Sequence, residues 1–197
     1  GLMGEFPEEA HWISVGDSDR NISTVQEKTT YFIQYTMEIR DTSACFVFGA
    51  ESGRYGSMTL CELQNQGEDT LFTVKDMSEL NSNVEFPSAS LETAEDGIYQ
   101  VDLQVLDHQM KVAVNGCEVG IFTIHSASLG AIGYYKSRGT QYVWLDDIVV
   151  TDEEGNVCYE EKFEQEDSIF APYHIVIEDG RCKVGSGLML SGAMEDP

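Results

Sequence analysis

Apolar and polar residues alternate with a period of two in one short segment after another along this chain, and that pattern leaves few folds open. Residues 30–40, TYFIQYTMEIR, put Tyr31, Ile33, Tyr35, Met37 and Ile39 on one face. Thr30, Phe32, Gln34, Thr36, Glu38 and Arg40 fall on the other. Such spacing suits a pleated strand, whose side chains point to opposite sides in turn. Further strands are predicted over 44–50, 57–64, 70–74, 98–106, 110–114, 118–124, 130–136, 140–151 and 157–163, with two weaker ones at 173–177 and 181–184. Asn115-Gly116 ends the 110–114 segment and is a hairpin signal, because both residues tolerate positive φ. Asp152–Asn156 and Asp179-Gly180 read as turns of the same kind. Only 76–83 and 89–96 leave room for a helical turn, so helix should stay below about 10%. Many short strands joined by polar turns specify a sandwich or barrel. No repeat of 20–50 residues is visible, which disfavours a propeller or solenoid.

A length of 197 residues, 42% of them hydrophobic, suits one sizeable sandwich and is short for two. The expected organisation is a single domain over 1–197, compact over about 10–185. The stretch after Phe170-Ala171-Pro172 fades into GSGLMLSGAMEDP and reads as a domain margin. No segment approaches the ~18–20 consecutive apolar residues of a membrane span. The start, GLMGEFPEEAHW, lacks the regions of a signal peptide. Localisation stays open between a cytoplasmic chain and a secreted one already trimmed.

Charge narrows the partners. Eleven basic against 35 acidic residues leave a formal net charge of −24. Binding nucleic acid or anionic lipid needs clustered Lys and Arg, so both partner classes are excluded. A neutral sugar is not repelled, and a cation is attracted. The five cysteines, Cys45, Cys61, Cys117, Cys158 and Cys182, form no CxxC pair for zinc or redox chemistry. Cys45, Cys61 and Cys158 lie in apolar strand segments and are expected as reduced structural thiols, all three buried as small hydrophobes.

Three stretches together resemble the concanavalin A-like (laminin G-like) lectin/glucanase jelly-roll domains appended to bacterial glycoside hydrolases of the α-L-rhamnosidase-like kind. These are HWISVGD at 11–17, ACFVFGAESGRYG at 44–56 and YQVDLQVLDHQMKVAVNGCEVG at 99–120. The most specific piece is GAIGYYKSRGTQYVWLDDIVVTDEEGNVCYEEKF at 130–163. The resemblance implies an all-β, two-sheet antiparallel jelly-roll sandwich. It also implies a non-catalytic carbohydrate-binding or accessory module of a larger hydrolase, with a glycan or the adjacent catalytic domain as partner. The alternatives are a structural domain that packs on a catalytic domain without binding free sugar, and a free-standing glycan hydrolase.

Catalytic chemistry finds little support in the residues. Glycosidases of this fold class carry Glu-x-Asp-x-x-Glu on one strand, which aims two carboxylates into one cleft; no strand here has it. Asp146 and Asp147 are adjacent, so strand alternation would send them to opposite sides. Glu160, Glu161, Glu164, Glu166 and Asp167 end a strand as edge charge. No GxSxG occurs, and His11, His108, His125 and His174 show no patterned partner. No metal ligand set is assigned, although Asp17, Asp19 and Asn21 alternate in an oxygen-rich loop and a structural calcium is compatible with the composition.

Sugar recognition fits better. A pyranose stacks its apolar face on an aromatic ring, and its hydroxyls need planar donors and acceptors. The candidates are Arg54, Tyr55, Tyr134, Arg138, Tyr142, Trp144 and Asp146, on a face built from 44–50, 130–136 and 140–150. Tyr142, Trp144 and Asp146 share one side of their strand, and Val143, Leu145 and Asp147 the other. Which side meets the core stays open.

Overall fold

A computed structural model describes residues 11–14, 27–50, 57–80, 82–135, 143–162, 176–178 and 181–184. The strands, in chain order, are β1 (His11–Ser14), β2 (Thr30–Glu38), β3 (Ser43–Ala50), β4 (Thr59–Asn65), β5 (Asp69–Asp76), β6 (Ser88–Glu92) and β7 (Ile98–Leu106). They continue as β8 (Gln109–Val114), β9 (Cys117–Thr123), β10 (Ala131–Tyr135), β11 (Val143–Asp152), β12 (Val157–Glu161), β13 (Val176–Glu178) and β14 (Arg181–Val184). A six-stranded sheet runs β1-β10-β3-β4-β5-β6. The eight-stranded sheet runs β13-β14-β11-β2-β7-β8-β9, with β12 also paired to β11. Every pairing is antiparallel. The chain is thus the all-β two-sheet antiparallel sandwich that its alternation predicts.

The alternation of β2 does what its pattern requires. Tyr31, Ile33, Tyr35 and Met37 are buried between the sheets, while Phe32, Gln34, Thr36 and Glu38 are not. From the opposite sheet Ala44, Phe46, Phe48, Cys61, Leu63, Phe72 and Val74 fill the same core. Among the described residues three aromatic pairs cross the gap. Tyr35 stacks on Phe46 with centroids 4.2 Å apart, Tyr31 meets Phe48 edge-on at 6.0 Å, and Phe72 tilts on Phe122 at 5.8 Å. Such pairs add about 0.5–1.5 kcal/mol each beyond the area they bury. Tyr99 adds a polar tie, its hydroxyl bonded to Thr70 Oγ1 of the facing sheet and accepting from the Ala94 N–H.

The hairpin at Asn115-Gly116 has positive φ at both residues, as its sequence predicts. The Asn115 side chain closes it further by accepting from the Gln100 N–H at 2.8 Å. Gly97 is required by close approach: its carbonyl accepts from the Ile39 N–H, its own N–H donates to the Ala94 carbonyl, and a Cβ there would collide with the Ile39 carbonyl. In the Asp152–Asn156 turn, the Asp152 carboxylate accepts from the N–H groups of Glu154 and Asn156. Those donors hold its pKa below the usual aspartate range.

Two local expectations resolve differently. Among the described residues of 76–83 the helical segment is a 3-10 turn, Met77–Glu79, capped by the Asp76 carboxylate on the Ser78 N–H. In 89–96 the chain makes no helical turn; Ser88–Glu92 is strand β6. The sequence SASLE alternates over too few residues to announce itself. Pairing with β5 settles it, because Ala89 and Leu91 then face the core.

Cys45 and Cys61 are fully buried, and burial pushes both thiols well above the ordinary cysteine range. Cys117 is exposed in the β8–β9 hairpin, and Cys158, expected to be buried, is only partly so on the short outer strand β12. A disulfide-exchange reagent should therefore titrate Cys117 rapidly in the native protein and reach Cys45 and Cys61 only after unfolding. Cys117→Ser should remove the reaction at that position and leave the slower one at the partly buried Cys158, whose thiol burial pushes up; a rapid Cys45 or Cys61 signal would show that the sheets open.

The Tyr35 hydroxyl is buried, and among the described residues it has no hydrogen-bond partner. Tyr35→Phe keeps the stack and removes an unsatisfied polar atom, so the urea midpoint should hold or rise, by up to about 1–3 kcal/mol of stability. A loss of more than about 1 kcal/mol would mean that the hydroxyl is paired.

Candidate functional site: the outer face of the eight-stranded sheet

The sandwich has two outer faces, and they differ. On the six-stranded sheet the side chains of Cys45, Val47 and Leu60 alternate with core residues, yet all three are buried. Beside them Glu62 and Lys75 neutralise each other at 3.2 Å. On the eight-stranded sheet the outward row is open and polar, with Gln34 and Gln100 exposed and Phe32, Asp102, Gln104, Trp144 and Asp146 partly so.

Strand pairing redistributes the residues that the sequence singles out. β10 pairs with β3 in the six-stranded sheet, as the expected face requires. β11 does not join them; it lies beside β2 in the opposite sheet. The expected face built from 44–50, 130–136 and 140–150 is therefore split across the sandwich. Tyr134 sits opposite Phe46 and is 2% exposed, so it is a core residue and no stacking platform. Arg54, Tyr55, Arg138 and Tyr142 lie outside the described residues. Trp144 and Asp146 remain together on the outer side of β11, since Val143 and Leu145 are the ones that enter the core.

Trp144 has a partner that the sequence did not announce. The Arg181 guanidinium of β14 lies 3.9 Å from the Trp144 ring centroid and donates through Nη1 to Glu38 Oε1 at 2.6 Å. Glu38 is directly opposite Trp144 in the β2–β11 register and also meets Arg40 at 3.4 Å. A planar guanidinium serves both needs at once, covering a ring with its face and a carboxylate with its edge.

A bulge follows. Asp147 has φ of 50°, its N–H donates to Asp146 Oδ1, and the register skips one residue between Asp146↔Thr36 and Val149↔Gln34. The extra residue resets the alternation, so Ile148 is buried and Asp146 and Asp147 both lie outside the core. The expectation that they face opposite sides is thereby corrected.

Further along the same face, Phe32 and Gln34 of β2, Asp102 and Gln104 of β7, and Lys111 and Ala113 of β8 line a groove of about 150 Å³. The register makes two rows, Gln34–Asp102–Ala113 and Phe32–Gln104–Lys111. Asp102 Oδ1 itself is buried, and among the described residues no donor reaches it. Lys111 is paired only loosely, with Glu118 at 3.4 Å and both side chains half exposed. None of these residues was singled out from sequence. Phe32, an aromatic on the polar side of an alternating strand, is the signal that could have found them.

His125, for which the sequence shows no partner, faces two carboxylates, Glu79 at 3.0 Å and Asp76 at 3.7 Å. Distant loops meet there, which local spacing cannot reveal. Among the described residues no group of three or more His, Cys, Asp or Glu side chains is arranged to hold a metal.

No protein-family model matches the chain, and no curated protein does. Solved structures similar to it include sheep galectin-11 in complex with glycerol, at 10% identity over 73% of this chain and 97% of that one, with a TM-score of 0.42. A carbohydrate-binding module of Bacillus subtilis matches at 8% identity over 62% and 75% of the two chains, with a TM-score of 0.47. A doubly substituted human galectin-16 matches at 14% identity over 65% and 91%, with a TM-score of 0.44.

The Trp144–Arg181–Glu38 cluster pins the short strand β14 to the sheet. Arg181→Ala should cost about 1–2 kcal/mol in urea denaturation. Arg181→Lys should recover less than half, because an ammonium cannot cover the ring and fork the carboxylate together. Full recovery by Lys would reduce the cluster to a point-charge pair.

Proposed function

We propose that the chain is a non-catalytic carbohydrate-binding module whose glycan lies across the outer face of the eight-stranded sheet. The observation that carries this reading is the composition of that face. The partly exposed ring of Phe32, and Trp144 with one face already taken by Arg181, share it with the planar amides Gln34 and Gln104 and the carboxylates Asp102 and Asp146. Rings suit the C–H faces of pyranoses, and amides and carboxylates suit their hydroxyls. Phe32 and the Trp144 partner Glu38 are six residues apart on β2, on the order of 20 Å along the strand. That span exceeds one monosaccharide, so an oligosaccharide is the fitting ligand. Service as an accessory module of a larger glycoside hydrolase is the finer form of this reading and rests on the sequence resemblance alone.

Titration with rhamnose, arabinose, galactose and their oligomers, followed by amide chemical shifts, tests it. Oligomers should bind more tightly than monomers, with dissociation constants of ~10 µM to mM, about 4–7 kcal/mol. The shifts should spread over β2, β7 and β11. Binding that maps to the six-stranded sheet would refute the placement. No binding at all would favour a domain that packs on a neighbour without taking free sugar.

A further inference from the structure

We infer that the side opening of the sandwich takes an extended peptide segment of a partner protein, added as a strand along β9. Its alternate side chains are apolar, and a lysine or arginine stands at the end beside Glu79 and Glu85. β6 ends the six-stranded sheet and β9 the eight-stranded one, and among the described residues no further strand pairs with either. At their nearest the two strands approach within 8 Å between Cα atoms. A strand wedged between them would need about twice the ~4.8 Å strand spacing, so a guest adds to one edge instead.

β9 is the better template. Val119, Gly120, Ile121, Phe122 and Thr123 line the groove beside it in unbroken succession. One face of a strand shows every second residue, so an unbroken run means that the edge itself, with its N–H and C=O groups, borders the groove. Charges, prolines and bulges normally blunt such an edge. Here a register shift between Val112↔Gly120 and Ala113↔Glu118 breaks one end, while 120–123 beyond it carry no charge, and Ile121 is 63% exposed. The facing β6 is entered through Pro87, which has no N–H to offer.

The surroundings set the chemistry of the guest. The groove, about 560 Å³, presents Ala89, Val119 and Phe122 to one side of an added strand and Ile121 to the other. It runs into a recess of about 90 Å³ that shares Pro87, Thr123 and His125 with it. Asp76, Glu79 and Glu85 line the recess. Asp76 accepts from Ser57 and Ser78, Glu79 faces His125 at 3.0 Å, and Glu85 is exposed. Lys75 also lines it but is held by Glu62 at 3.2 Å. Three carboxylates against one engaged lysine call for a cation at that end of the guest. A second copy of this chain does not answer, since it brings a further −24 of charge and the same carboxylates. The inference is independent of the glycan reading, and either can fail alone.

The test is selection on the full chain from a library of peptides of about eight residues with alternating apolar positions and basic, neutral or acidic ends, followed by fluorescence anisotropy. The peptides retained should carry Lys or Arg at one end, and their amide shifts should fall on β9 and 84–90. N-methylating the peptide amides that face β9 should abolish binding. Glu85→Lys should weaken the basic-ended peptides about fivefold or more, an effect lost at ~1 M salt. Ile121→Ser should weaken them about two- to fivefold, with the thermal midpoint unchanged because the side chain is exposed. An empty selection, retained peptides without a basic end, shifts elsewhere on the molecule, or indifference to N-methylation would each overturn the inference. So would sedimentation showing that the chain alone dimerises with β9 protected from hydrogen exchange.

Discussion

The ring of Tyr35 lies nearly flat on that of Phe46, with 11° between their planes, and this contact joins the central strand β2 of one sheet to β3 of the other. Sheets pack about 10 Å apart, and only interdigitated side chains can fill that gap without voids. Large rings on facing strands do so with few rotatable bonds to immobilise. With Tyr31 against Phe48 and Phe72 against Phe122, the stack sets which side of every neighbouring strand points inward. The outward faces are what remains, and the candidate site is made of them.

That inheritance explains why the site is flat and polar instead of a deep cleft. Each inward Tyr, Ile or Val of β2 and β7 forces the next residue outward, so Gln34, Thr36, Asp102 and Gln104 must fall into rows. Relief on such a surface comes only from unequal side chains or a broken register. Ala113 provides the first, leaving a depression over Asp102. The Asp147 bulge provides the second, turning two successive carboxylates away from the core.

Electrostatics then divides the surface. Cations are few, and most of those among the described residues are engaged: Lys75 with Glu62, Lys111 with Glu118, and Arg40 and Arg181 with Glu38. Acidic residues outnumber basic ones 35 to 11, so the sequence as a whole carries a strong negative charge. Neutral, hydroxyl-rich ligands are insensitive to it.

The strands were legible because burial between two sheets writes a period of two into the sequence. The Asn115-Gly116 hairpin was legible because it needs two positive φ angles in a row. The short strand β6 was not, since five residues of mixed polarity carry too little pattern. For the site, local reading put Trp144 and Asp146 on one side of their strand correctly, but it set that strand next to β10 and Tyr134 on the surface. Adjacent segments do not always pair: β10 and β11 follow each other in sequence and belong to opposite sheets. Alternation by itself determines that a residue has a face. Whether that face meets the core, which strand lies beside it, and that Arg181 covers Trp144 or Ala113 uncovers Asp102 are long-range pairings, and only the folded sandwich decides them.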